Sequence, residues 1–214
     1  MSEYQLYCFA QSGNAYRAAL MLNLIGADWQ PVYVDFFRGG ETRTPKYRAE
    51  INEMGEVPVL VHGAKKLTQS GVILTYLAEH SGKFKPEGED ERLEALRWII
   101  FDNQKIGGCL GPCRFLRNFA KPPGQPSVME YLKSRADAAL AILDKRLSHS
   151  AYLLGAEPTI VDLSLTGYLY YPADEFGFDI AAGHKNIGAW LDRISKLPGW
   201  AHPYDLMPGF PLPA

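Results

Sequence analysis

The run Glu56-Val57-Pro58-Val59-Leu60-Val61-His62-Gly63-Ala64-Lys65-Lys66-Leu67-Thr68-Gln69-Ser70 decides the fold. Val57 to Val61 is apolar and β-branched, as a buried strand requires; His62-Gly63-Ala64-Lys65 makes a hairpin turn, and Lys66-Leu67-Thr68 a short antiparallel return. From Ser70 to Ser81 the residues Ile73, Leu74 and Leu77 line one face at helical spacing. The chain therefore reads strand, turn, strand, helix.

Working back toward the N-terminus, Tyr4 to Cys8 alternates polar and apolar in the manner of a short strand, and Ala10 to Asn14 breaks that pattern. Ala15, Ala18, Ala19, Leu22 and Ile25 then follow helical spacing, with Gly26 where a C-terminal cap belongs. Pro31 to Phe36 reads as a second strand, so the first 36 residues form a right-handed parallel βαβ unit. A polar loop from Arg38 to Pro45 and a weak helix from Lys46 to Asn52 complete the order βαβαββα, which matches a thioredoxin-like sheet.

Working forward, Ser81 to Asp90 mixes glycine, proline and charge and reads as a linker. Beyond it everything reads as helix. Leu93, Leu96 and Ile100 mark one long helix, and Val128, Leu132, Arg135, Ala139, Ile142 and Arg146 trace another. Thr159-Ile160-Val161-Asp162 has the spacing of a capping box with Asp in place of Glu. Ile187, Trp190, Leu191, Ile194 and Leu197 give a last amphipathic helix, and a proline-rich irregular tail follows from Pro203. The expected organisation is an α/β thioredoxin-like domain over residues 1–81 and an all-α domain over residues 91–214.

Composition narrows the function. The 214 residues carry 22 Lys+Arg against 24 Asp+Glu, a net charge of −2. With no run of like charge reaching five residues, neither a nucleic-acid footprint nor a membrane patch is supported. The start Met1-Ser2-Glu3-Tyr4 lacks the basic region of a signal peptide, so a cytoplasmic protein is expected. Cys8, Cys109 and Cys113 are too few for a disulfide framework, and the five histidines have no metal-ligand spacing, so no metal is expected.

Three local features carry chemistry. Pro58, at a strand start, would in the cis form aim backbone groups at an extended ligand. Ser70, after Gln69, opens a helix whose free N–H groups suit a carboxylate. Ser12, with Gly13 and Asn14, stands at the start of the first helix. Taken singly, each is an ordinary cap or turn.

Taken in order, these motifs resemble the glutathione S-transferase family: Leu6 to Leu20 with Ser12, Glu56 to Leu60, Leu67 to Ser70, and Thr159 to Asp162. The resemblance covers nearly the whole chain. It implies that the N-terminal domain binds glutathione as co-substrate, that Pro58 is cis with Val57 pairing the cysteinyl backbone, and that Gln69 and Ser70 hold the γ-glutamyl end. It also implies that Ser12 stabilises the glutathione thiolate, with Asn14 as the rival donor and Tyr4 and Tyr7 as lesser candidates. Many members have a Lys where this chain has Glu56, so Arg38 or Arg43 would meet the glycyl carboxylate instead. Phe9, Trp98, Phe101 and Phe115 are candidates for the electrophile pocket, and a homodimer is implied. The expected reaction is conjugation of glutathione to an apolar electrophile. The alternatives are glutathione-dependent reduction of disulfides or peroxides, and a non-catalytic glutathione-binding or interaction module.

Overall fold

The computed structural model describes residues 2–211. Its elements run β1 (Tyr4–Cys8), α1 (Gly13–Ile25), β2 (Trp29–Tyr33), α2 (Pro45–Glu50), β3 (Val59–His62), β4 (Lys65–Thr68) and α3 (Ser70–Ser81). There follow α4 (Gly88–Phe101), a π-helical turn (Asp102–Ile106), α5 (Gly107–Asn118), α6 (Pro126–Leu147), α7 (Ile160–Leu165), α8 (Ala173–Phe176), α9 (Ile180–Gly183), α10 (Lys185–Ser195) and α11 (Pro203–Leu206). The sequence thus gives a thioredoxin-like mixed sheet with helices, then a helical unit.

The four strands lie in the order β2-β1-β3-β4. β1 pairs with β2 in parallel, Leu6 opposite Pro31, and with β3 in antiparallel, Leu6 opposite Leu60. Pro31 has no N–H to give a ladder, and its strand is at the sheet edge, where that loss is tolerated. The expected strand over 31–36 is displaced: pairing stops at Tyr33, and Val34 turns inward with Phe9 and Tyr47 to make a separate apolar cluster. Along β1 burial alternates, so Leu6 and Cys8 enter the core with Leu20, Met21, Leu60, Ile73 and Leu74. Gly26 caps α1 in the left-handed conformation, at φ 74°, which costs glycine little.

Contacts divide the chain into two units, one from the N-terminus to Lys83 and again from Leu197 onward, the other Phe84–Lys196. The expected boundary assigned everything after residue 91 to the helical domain; the segment from Leu197 instead returns to the first unit. It runs along α1. Asn23 Nδ2 donates to Gly199 O at 2.8 Å and Tyr16 Oη to Ala201 O at 2.9 Å. At the other end of α1, Ala10 N–H donates to Pro208 O at 2.7 Å and Gln11 Nε2 to Gly209 O at 2.7 Å.

In the helical unit Thr159 caps α7, and the buried carboxylate of Asp162 closes the box by accepting from Thr159 N–H at 2.9 Å. Asp162 also accepts from Leu153 N–H at 3.0 Å and from Trp190 Nε1 at 2.9 Å, so it joins a loop, α7 and α10. The apolar series Leu93, Leu96, Ile100 marks α4 but faces outward, 59%, 54% and 49% exposed, while Ala95, Trp98 and Ile99 are buried. Among the described residues no helix is long and apolar enough to cross a membrane.

Candidate functional site

The first part of the site is the corner between β1 and α1. The chain leaves β1 at Cys8 and turns, Ser12 N–H donating to Phe9 O at 3.0 Å. Ser12 is extended, at φ −89° and ψ 103°, and its Oγ accepts from Ala15 N–H at 3.2 Å, capping α1. Asn14, in the first turn, is half-buried. Ser12 Oγ accepts from the helix through one lone pair, which leaves its O–H as a donor. A buried O–H donor at the positive end of a 13-residue helix favours a negative charge placed before it.

The second part is the approach to β3. The Val57–Pro58 bond is cis, as the resemblance implies. Val57 stands outside both ladders that Val59 begins, with Tyr7 on one side and Thr68 on the other. Just upstream, Glu56 O accepts from Tyr47 Oη and Asn52 Nδ2, each at 3.0 Å, which fixes the backbone entering Val57. Burial pushes the Tyr47 phenol up, so it remains protonated and able to donate.

The third part is the start of α3. Gln69 is one of two non-glycine residues at positive φ among the described residues, at φ 66°. Such backbone costs on the order of 1–3 kcal/mol and persists where surroundings enforce it. The Gln69 amide donates to Glu56 Oε2 at 3.2 Å and to Met54 Sδ at 3.2 Å. Next to it, buried Ser70 accepts through Oγ from Arg17 Nη1 at 3.3 Å. Arg17 is fully buried on α1, so its side chain ties α1 to the start of α3. The sequence reading missed it; the available signal was a lone cation inside the apolar helical run Ala15-Tyr16-Arg17-Ala18-Ala19-Leu20.

Cys8 is buried in β1, and burial pushes its thiol up to about 12, far from a working thiolate. Tyr4 is likewise pushed up to about 12, first by burial, and its ring lies 4.3 Å from that of His62. Arg38 is exposed and its backbone N–H donates to Asp35 Oδ1 at 3.0 Å, while the Arg43 guanidinium lies 5.4 Å from the Phe36 ring. Phe9 stacks on Phe36 at 4.9 Å within the first unit. In the helical unit, Trp98 packs edge-on to Phe101 at 5.4 Å and donates from Nε1 to Glu94 Oε1 at 2.9 Å, and half-buried Phe115 lies 6.4 Å from Phe119. Among the described residues no group of three or more His, Cys, Asp or Glu is arranged to hold a metal ion.

Two helix starts, each with a buried serine, can receive two anionic centres, and the segment before β3 offers main-chain atoms to whatever joins them. Known proteins carry the same organisation. Residues 2–79 match the family model for the glutathione S-transferase N-terminal domain, and residues 115–193 that for a glutathione S-transferase C-terminal domain. Glutathione S-transferase 1 of Dianthus caryophyllus is 30% identical over 183 residues, covering 83% of this chain and 80% of the relative. The disulfide-bond oxidoreductase YfcG of Escherichia coli is 29% identical, covering 89% of each. A crystal structure of a possible glutathione S-transferase from Rhodopseudomonas palustris aligns with a TM-score of 0.86 and 33% identity, covering 94% of this chain and 98% of that one.

Proposed function

This chain belongs to the glutathione S-transferase family, and on that premise we propose that it binds glutathione and transfers its thiolate to an apolar electrophile. A free thiol of pKa about 8.5 is only a few per cent thiolate at neutral pH, and the thiolate is the nucleophile. Lowering that pKa by about two units corresponds to roughly 2.7 kcal/mol in favour of the anion. A hydrogen bond to a charged partner contributes about 1.5–3 kcal/mol and a helix start about 0.3–1 kcal/mol, so the two together suffice. The observation that carries this reading is the buried Ser12 hydroxyl, which already caps α1 through its oxygen and so has its proton to give. In the reaction the sulfur forms a bond to the electrophilic carbon and the leaving group departs with the bonding pair. The thiol proton has by then passed to solvent.

Val57 pairs the cysteinyl backbone in this reading, and Ser70 and Gln69 take the γ-glutamyl carboxylate. Calorimetry with millimolar glutathione tests the binding step; heat of binding is expected, and its absence removes the proposal. Assays with an aryl halide and with a low-molecular-weight disulfide then separate two reactions. The second is favoured by the relative named a disulfide-bond oxidoreductase. There two glutathiones reduce one disulfide to two thiols and leave as glutathione disulfide. Cys8, buried and held as a thiol, has no part in either.

A second copy of the chain is the inferred partner. What supports this is the α4 stripe Leu93, Leu96 and Ile100, exposed apolar surface at i, i+3 and i+7. Sedimentation equilibrium at micromolar concentration should give twice the 23.9 kDa chain mass, and a single-chain mass would remove the dimer.

A further inference from the structure

The turn that presents Ser12 is held from the far end of the sequence. Ala10 N–H and Gln11 Nε2, in consecutive residues just before Ser12, donate to the consecutive carbonyls of Pro208 and Gly209, both at 2.7 Å. Gln11 is buried, while Pro208 and Gly209 are half-buried. The carbonyls are themselves fixed. Gly209 has φ +97°, open to glycine but not to other residues, and a Cβ there would come within 2.7 Å of the Tyr33 ring. Met207 is buried, and the Tyr204 and Phe210 rings stack at 3.7 Å across the bend. Further back the segment is pinned to Tyr16 and Asn23 of α1.

We infer that Gln11 is a positioning residue, and that residues 207–210 form a clamp which sets the direction of the Ser12 hydroxyl. The inference rests on the thiolate role proposed for Ser12. On the helix side Ser12 accepts from Ala15 N–H through Oγ and from Tyr16 N–H through its carbonyl; on the turn side its N–H donates to Phe9 O and its peptide joins Gln11. The clamp fixes the turn side, through Ala10 and Gln11. A hydrogen bond to sulfur weakens steeply as its angle falls, so a turn free to swivel gives up part of the thiolate stabilisation while the tripeptide's main-chain contacts at Val57 and Ser70 stay in place.

The test uses the full chain with Gln11→Glu, which keeps the size and turns a donor into an acceptor facing carbonyls, and Gly209→Ala, whose added methyl meets the Tyr33 ring and not the turn. The ultraviolet absorbance of bound glutathione thiolate, followed against pH, gives the midpoint of ionisation. In both variants that midpoint should rise by about one unit, from about 6.5 toward about 7.5, a roughly threefold fall in thiolate fraction at neutral pH. Affinity for glutathione by calorimetry should change far less. Placed in a Ser12→Ala background, neither substitution should move the midpoint further, which a general loss of structure would not reproduce. Should one variant not fold, the other decides. An unmoved midpoint in a folded variant, with Ser12→Ala alone raising it, overturns the clamp and leaves Ser12 in its role. A midpoint that Ser12→Ala does not raise overturns the thiolate role itself.

Discussion

Ser12→Ala is expected to lower kcat/KM for an aryl halide to below about a tenth of the parent value while glutathione still binds. The loss follows from one hydrogen bond to a charged atom, about 1.5–3 kcal/mol, or roughly ten- to a hundredfold at about 1.4 kcal/mol per decade. It stops there because the α1 dipole and the main-chain contacts remain. Alanine also removes the cap on Ala15 N–H, which costs about 0.5–2 kcal/mol of stability, so Ser12→Gly is the matched control: glycine loses the hydroxyl but caps almost as well. Both should lose turnover, and only alanine should lose much stability. Asn14→Ala reads the rival donor. If it abolishes turnover while Ser12→Ala leaves it unchanged, the sulfur is held by the amide.

The largest stability effect belongs to the helical unit, at Asp162. Its fully buried carboxylate accepts from Leu153 N–H, Thr159 N–H, Thr159 Oγ1 and Trp190 Nε1. Burial pushes this carboxyl up, and those donors pull against it, so the anion is tolerated only while the set is intact. Asp162→Ala leaves buried donors without acceptors, each costing about 1–3 kcal/mol, and opens the capping box. A loss above about 3 kcal/mol is expected, and at about 2–4 °C per kcal/mol for a chain of this size the melting midpoint should fall by roughly 6–12 °C. Asn in its place should restore little, since its NH₂ would face donors. A midpoint within about 2 °C of the parent would show that water or a shifted loop satisfies those groups instead.

What could be read from the sequence is what punctuation and periodicity express. The helix over 70–81 was legible to the residue, because Gln69-Ser70 opens it and Gly82 closes it. The hairpin at Gly63 and the box at Thr159 were legible for the same reason. The α4 stripe was legible as helix but not as surface, since Leu93, Leu96 and Ile100 have the spacing of a core face and burial depends on what stands opposite. Arg17 was hidden in the site because an arginine within an apolar helix shows its partner only in three dimensions. Hardest to foresee was the return of the chain from Leu197. Its anchors are the carbonyls of Gly199, Ala201, Pro208 and Gly209, and a carbonyl is the same whatever residue bears it.

That return bears on how the protein is made. The sheet and α1 emerge from the ribosome early, yet the contacts at Ala10 and Gln11 wait for residues 208 and 209. Synthesis at about 5–20 residues per second leaves the nascent N-terminal unit unfinished for on the order of ten seconds or more. Throughout that interval the flank of α1 at Tyr16 and Asn23 lacks its partners, and only chains that have reached Gly209 have the first turn locked.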